Sequence, residues 1–313
     1  MQIMRKTSKR EPDFGKDKIM SILLRLSPPV MLAQLIQALY NLIDSYFVGS
    51  YSESGLTALS IIYPLQLLMI ALAVGTGVGI NTLMSHFLGI GDRKKSDETA
   101  GVGIPLACAI WFAFAVICWF IMPFYADIST ETKQIAQEVV VYGRIVCVCS
   151  FGIFFESVWT KILQATGNMK IPMVAQIVGA IVNIILDPIM IFGWCGCPKL
   201  GIDGAAIATV IGQFISFFID AYFYFRCNSK HFDTSLKYIK PEGKIIKQIY
   251  QVGIPAIIMQ ALMSILTYSI NVIFVRVSTD AVTAYGIYYK IQQFVFFAAF
   301  GMNNAMIPII AFN

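Results

Sequence analysis

Long runs of apolar residues make up most of the chain, and short polar segments separate them. Eight runs reach the length of about 20 residues that a helix needs to cross the hydrocarbon core of a bilayer. They cover residues 22–49, 57–88, 100–125, 135–158, 169–193, 201–226, 246–275 and 281–311. A membrane β-barrel would instead need segments of about ten residues that alternate in polarity, and no such alternation occurs. The pattern predicts an all-α polytopic membrane protein.

Composition supports the membrane class. Hydrophobic residues make up 57% of the chain, charged residues only 13%, and the mean hydropathy is +0.71. A water-soluble domain of this composition would expose an apolar surface that water does not tolerate. The net charge of +5 follows from the loops described next, so it implies no nucleic-acid partner.

The positive charges predict the orientation. Most of the 23 Lys and Arg residues lie in or beside the leader, residues 89–99, residues 159–170 and residues 226–248. The opposite loops carry only Lys133, Lys199 and Arg276. Because positive loops stay on the cytoplasmic side, we expect a multi-pass protein of the cell inner or plasma membrane with a cytoplasmic N-terminus.

An internal repeat appears when the chain is compared with itself at an offset of 226 residues. Equivalent positions then carry the same residue, as in Pro29 and Pro255, Gln34 and Gln260, Thr57 and Thr283, Tyr63 and Tyr289, and Gly75 and Gly301. Repeats of six helices in the same orientation are parallel repeats about an axis along the membrane normal. The prediction is a cytoplasmic leader (1–21), an N-lobe of helices 1–6 (22–226), a cytoplasmic linker (227–245) and the first two helices of a C-lobe (246–313). We expect four further helices to complete the second lobe.

Two carboxylates lie deep in the predicted membrane helices, where ionisable residues are by default functional. At a rise of 1.5 Å per residue, Asp44 lies about 7.5 Å and Asp187 about 9 Å below the outer ends of helices one and five. Asn183 precedes Asp187 by one turn, and Thr209 reaches a comparable level on helix six. Hard oxygen ligands of this kind suit a small cation or protons. We therefore predict a coupling-cation site of Asp44, Asn183, Asp187 and Thr209, which would also be the metal site if the ion is Na⁺.

Polar residues on helix one share a stripe with Asp44. Gln37, Tyr40 and Asn41 follow helical spacing toward it. Together with Gln34 and its repeat partner Gln260 they are the predicted lining of a substrate cavity.

The remaining intramembrane charges admit other interpretations. Asp203 and Asp220 lie nearer to helix ends, where capping is the favoured role, whereas function and structure stay equally open for Glu156 and Arg144. No HExxH, nucleophile elbow or Walker loop is present. We expect no enzyme activity and no cofactor.

The chain resembles the multidrug and toxic compound extrusion (MATE) family. The resemblance runs through PVMLAQLIQALYNLIDSYFVG, MSHFLGIGDRKKSDE, LQATGNMKIPM, VNIILDPIMIFG and GIDGAAIATVIGQ, and recurs in VGIPAIIMQALMSI. It is strongest to the prokaryotic DinF-like branch. The resemblance implies twelve helices in two lobes, and export of cationic or amphipathic compounds against H⁺ or Na⁺ by a monomer. The cation-site residues of that branch match Asp44, Asn183, Asp187 and, less directly, Thr209.

One departure and one alternative accompany this interpretation. Another branch of the family carries an acid on helix seven where Gln260 stands, so a cation site in the C-lobe is in doubt. The alternative function is a flippase for lipid-linked precursors in the same superfamily. It would favour a cationic cavity, for which the helices offer mainly Arg144 and Lys290.

Overall fold

The computed structural model describes residues 17–227 and 238–313, together with Gly15. Most of the predicted leader and residues 228–237 of the predicted linker lie outside the described residues. The helices run in the order α1 (Ile19–Tyr51), α2 (Glu53–Gly89), α3 (Arg93–Ser129), α4 (Lys133–Val148), α5 (Phe151–Ala165), α6 (Lys170–Phe192), α7 (Ile202–Cys227), α8 (Gly243–Val275) and α9 (Thr279–Phe312).

The all-α membrane fold is confirmed. Among the described residues, six helices are long and apolar enough to cross a bilayer, namely α1, α2, α3, α6, α7 and α8. The pair α4 and α5 passes the same test as one span bent by 41°, and α9 contributes a shorter apolar stretch, Ala298–Phe312. Aromatic residues of α3 such as Phe112, Phe120 and Phe124 are 62–76% exposed, as expected of side chains that face lipid.

The fourth predicted span, residues 135–158, is a broken helix. α4 ends at Val148, and the Ser150 hydroxyl donates to the carbonyl of Cys147 at 2.6 Å. A hydroxyl that bonds backbone in this way competes with continued helix. After the break, Gly152 lies against the backbone of Gln213 on α7, which a Cβ would approach to 3.1 Å. The break therefore lets α5 pack closely on α7.

A core cluster joins α2, α3, α4, α5 and α7. Its members include Ile62, Met122, Tyr142, Phe154 and Ala205, each at most 1% exposed. Val48 of α1, Ile191 of α6 and Val282 of α9 belong to the same cluster, so every helix of the predicted N-lobe contributes to it.

The two copies of the internal repeat are related in space by an approximate two-fold axis. α2 packs on α8 and α1 packs on α9, and the repeat exchanges these two pairs. A Cβ on Gly75 would meet the backbone nitrogen of Ile257 at 2.8 Å, and one on Gly301 would meet Cα of Met31 at 2.6 Å. Because Met31 and Ile257 are also 226 residues apart, the two contacts are equivalent. The parallel-repeat arrangement is confirmed.

Two positions differ from the sequence-based expectation. Lys161, assigned to the cytoplasmic segment 159–170, lies inside α5 and is 5% exposed, since the helix continues to Ala165. Asp220, interpreted as a helix cap, lies a full two turns before the end of α7 and is completely buried. Both charges are therefore interior groups with polar partners.

Candidate functional site

Three of the four predicted cation-site residues lie together between α6 and α7. The Asn183 amide donates to Oδ1 of Asp187 at 3.3 Å and to the hydroxyl of Thr209 at 3.4 Å. Asn183 is 2% exposed and Asp187 is completely buried. A Cβ at Gly212 would meet the carbonyl of Gly179 at 2.8 Å. The two glycines therefore permit the close helix approach that brings Thr209 to Asn183.

Asp44 joins this group from α1. It is 5% exposed, and its charge interacts with that of Asp187. It also interacts with the ammonium of Lys290 on α9, which donates a hydrogen bond to the hydroxyl of Ser45. Lys290 is 5% exposed, and its Nζ lies 5.3 Å from the ring centroid of Tyr63. The site thus contains two acids and one lysine.

Three buried acceptor oxygens of the site have no donor. They are Oδ1 of Asp44, Oδ1 of Asn183 and Oδ2 of Asp187, none of which has a hydrogen-bond partner in the described part of the chain. Buried polar atoms are almost always satisfied, so an orphaned set needs a reason, such as an ion, a proton or water. The donor set is one that suits a small hard cation or a proton.

Two tyrosines lie near enough to the acids to interact with their charges. Tyr40 on α1 interacts with Asp44 and Asp187, and Tyr142 on α4 interacts with the same two carboxylates. The amide of Gln66 donates to the Tyr142 hydroxyl at 3.4 Å. Phenol groups at this place can hydrogen-bond a carboxylate or an ion.

The predicted cavity residues are only partly connected to the site. The Asn41 amide donates to the carbonyl of Gln37 at 3.0 Å, and the Asn41 carbonyl accepts from Ser45 at 2.8 Å. Gln34 and Gln260 are half-buried, and within the described ranges no hydrogen bond links them to the acids. A substrate role for these residues stays a prediction.

The other intramembrane charges lie elsewhere. Arg144 faces Trp119, with the guanidinium carbon 4.5 Å from the ring centroid and a 3.4 Å hydrogen bond to the Trp119 carbonyl. Asp203 is a half-buried acid in the first turn of α7. Glu156 and Asp220 form a separate cluster with Thr160.

Sequence reasoning missed Lys290, Ser45 and Tyr142 as neighbours of Asp44. The available signal was Lys290 itself, because a lysine inside a membrane helix needs a partner. The internal repeat did not indicate a partner for Lys290, because the equivalent residue in the first half is Pro64. The contact joins helices almost 250 residues apart, which spacing along one helix does not reveal.

Comparison with known proteins identifies the family. The MatE family profile matches residues 29–189 and 255–313, which is more than half of the chain and falls in both parts of the repeat. The chain belongs to the MatE family. Of the predicted cation-site residues, Asp44, Asn183 and Asp187 lie inside the matched ranges, and Thr209 lies between the two ranges.

Curated relatives of this MatE chain include multidrug export proteins. It is 27% identical to the multidrug export protein MepA of Staphylococcus aureus (strain MRSA252) and 28% identical to MepA of Staphylococcus haemolyticus (strain JCSC1435). Each match covers 96% of this chain and 66% of the relative. The chain thus spans just under two thirds of the length of these relatives.

Solved MATE structures share the fold. A transporter of the MOP superfamily from Pyrococcus furiosus superposes with a TM-score of 0.85 at 25% identity, over 95% of this chain and 65% of that one. The binding pocket of that transporter has reverse polarity, which suggests a different function for it. An outward-facing multidrug resistance MATE transporter gives a TM-score of 0.83 at 26% identity, over 96% of this chain and 64% of that one.

Proposed function

We propose that this MatE chain belongs to a cation-coupled antiporter that exports cationic or amphipathic compounds across the cytoplasmic membrane in exchange for H⁺ or Na⁺. The observation that carries the proposal is the set of buried, unpartnered oxygens on Asp44, Asn183 and Asp187. A bound proton or Na⁺ would satisfy oxygens that the protein leaves without donors. The multidrug export function of the MepA relatives supports the export role.

The charges of the site favour a single monovalent ion. Asp44 and Asp187 contribute two negative charges when ionised, and Lys290 contributes one positive charge. One H⁺ or Na⁺ therefore neutralises the group. An uncompensated charge is costly at bilayer depth. The neutral and the charged form of the site should therefore favour different arrangements of the helices around it.

This difference could couple ion binding to substrate release. α1 carries Asp44 and contains Pro28 and Pro29, which weaken a helix by removing backbone donors. Neutralisation of Asp44 would loosen its attraction to Lys290 on α9, so α1 could shift relative to the second half. A cationic substrate would favour the opposite, ionised form of the carboxylates, which couples its release to ion uptake.

The flippase alternative has weaker support. It needs cationic side chains that are free to bind a pyrophosphate, whereas Lys290 interacts with Asp44 and Ser45. Arg144 is engaged with Trp119. Neither of these two cations is uncommitted.

Efflux from vesicles tests the proposal. A fluorescent cationic dye is loaded into vesicles that carry the protein, and a pH gradient or a Na⁺ gradient is imposed separately. We expect efflux under at least one gradient, its loss in Asp44→Asn, and its retention in the control Asp203→Asn. Efflux that Asp44→Asn leaves unchanged would refute the proposed coupling. No efflux under both gradients from folded protein would favour the flippase.

A further inference from the structure

A second cluster of buried polar groups lies at α5, α6 and α7, apart from the cation site. The Thr160 hydroxyl oxygen is 2.8 Å from Oδ2 of Asp220 and 3.3 Å from Oε1 of Glu156. The Gln176 amide donates to the same Oε1 of Glu156 at 3.0 Å. One hydroxyl on α5 therefore bridges two carboxyl groups, one on its own helix and one on α7.

These contacts require more hydrogens than the hydroxyl has. A threonine hydroxyl carries one hydrogen, and an ionised carboxylate only accepts. If both acids were ionised, Thr160 could donate to only one of them, and the other contact would bring two acceptor oxygens together. A proton on Asp220 removes the conflict, because the acid then donates to Thr160 and Thr160 donates to Glu156.

An unpartnered atom points to the same conclusion. Oδ1 of Asp220 is buried and has no hydrogen-bond partner among the described residues, and the whole Asp220 side chain is completely buried. An ionised carboxylate with one oxygen lacking any donor at this depth is costly. A neutral carboxyl group carries far less of that cost.

The neighbouring charges balance with one proton. Lys161 on α5 interacts with Glu156, and its Nζ donates to the Asn304 side chain at 2.7 Å. Tyr40 on α1 also interacts with Glu156. With Lys161 charged, the two acids exceed it by one negative charge, so one proton makes the cluster neutral.

We propose that Glu156 and Asp220 share one proton through the Thr160 hydroxyl and form a second proton site in the N-lobe. Tyr40 on α1 interacts electrostatically with Glu156 as well as with Asp44 and Asp187. The occupant is a proton and not a metal ion, since the Gln176 amide presents its hydrogens to Glu156. The proposal does not depend on transport or on the identity of any substrate.

Infrared spectroscopy of the purified chain tests the shared proton directly. The C=O stretch of a protonated carboxyl group should be present at neutral pH and should disappear on alkaline titration. Asp220→Asn and Glu156→Gln should each remove one and the same band, because a single remaining acid receives the Thr160 hydrogen and ionises. Asp203→Asn, which changes an acid at the start of α7, should leave the band unchanged.

The bridging hydroxyl supplies a second pair of variants. Thr160→Ser should preserve the band, whereas Thr160→Val should shift its frequency because the hydrogen bond to the acid is lost. The proposal fails if neither Asp220→Asn nor Glu156→Gln removes a carboxyl band from folded protein. It also fails if only one of them does, which would mean an unshared proton, or if added Na⁺ abolishes the band, which would mean a cation site.

Discussion

The hydroxyl oxygens of Thr57 and Thr283 lie 2.8 Å apart, and the two residues are equivalent positions of the internal repeat. Tyr63 and Tyr289, the next such pair, have ring centroids 5.8 Å apart in an edge-to-face arrangement. Equivalent residues can touch only where they lie beside the symmetry axis. The axis that relates the two halves therefore passes between α2 and α9.

A double-mutant cycle measures the threonine contact at this axis. We expect Thr57→Val and Thr283→Val to interact, with a coupling energy of about 1 kcal/mol, because either variant alone removes one partner of the pair. The free energy of unfolding in detergent is the measurement. The effects of Thr57→Val and the distant Thr166→Val should be additive, which makes this pair the control. If the effects of Thr57→Val and Thr283→Val were additive as well, the contact between the two threonines would be contradicted.

The close helix contacts at Gly75 and Gly301 should be equally sensitive to added volume. An alanine Cβ would overlap Ile257 in one case and Met31 in the other, at a cost of about 1–3 kcal/mol. Gly243→Ala is the matched control, since nothing lies within 4 Å of its Cβ position. Thermal unfolding should show two similar losses of stability and none for the control. If only one of the two variants were destabilised, the two contacts would not be equivalent.

The sequence was sufficient for the class, the repeat and part of the site. The length of an apolar run reflects the thickness of the bilayer, and a fixed offset between matching residues reflects the internal symmetry. The membrane spans and the repeat can therefore both be recognised from the sequence alone. Asn183 and Asp187 are one turn apart on one helix, so their contact followed from helical spacing alone. Thr209 needed only the matching depth of the next helix.

Contacts between distant helices were not predictable in this way. The position of Lys290 beside Asp44 depends on how α9 packs on α1, and the burial of Asp220 depends on the turn that α5 makes after Ser150. Both are set by side-chain packing and backbone breaks, which hydropathy does not record. The interpretation of Asp220 as a cap was wrong for this reason.

The Asp44 and Lys290 pair should be visible in stability. Lys290→Met leaves the buried Asp44 without the nearby positive charge that offsets it, so we expect the variant to be less stable than the parent chain. Asp44→Asn should also lower stability, because it leaves the buried Lys290 without the nearby negative charge of Asp44. We expect Asp44→Asn with Lys290→Met to cost less than the sum of the two, as measured by the free energy of unfolding at neutral pH. Strict additivity would mean that the two charges do not interact.

The Thr209 hydroxyl should contribute to ion binding by holding Asn183. Thr209→Val removes the partner of the Asn183 amide, so we expect the apparent affinity for the coupling ion to fall about tenfold, the equivalent of about 1.4 kcal/mol. Thr209→Ser retains the hydroxyl and should behave like the parent chain. The measurement is the H⁺ or Na⁺ concentration that gives half-maximal dye exchange. A serine variant as weak as the valine variant would mean that loss of the hydroxyl does not explain the effect.

The central claim is that Asp44 and Asp187 give up the coupling ion when substrate binds. It is tested most directly by measuring H⁺ and Na⁺ release from the purified protein while a fluorescent cationic dye is titrated in. The account predicts release of about one ion per dye bound, from the charge balance of the site, and its loss in Asp187→Asn with the Asp203→Asn control unaffected. Dye binding without ion release, or release that persists in Asp187→Asn, would contradict it.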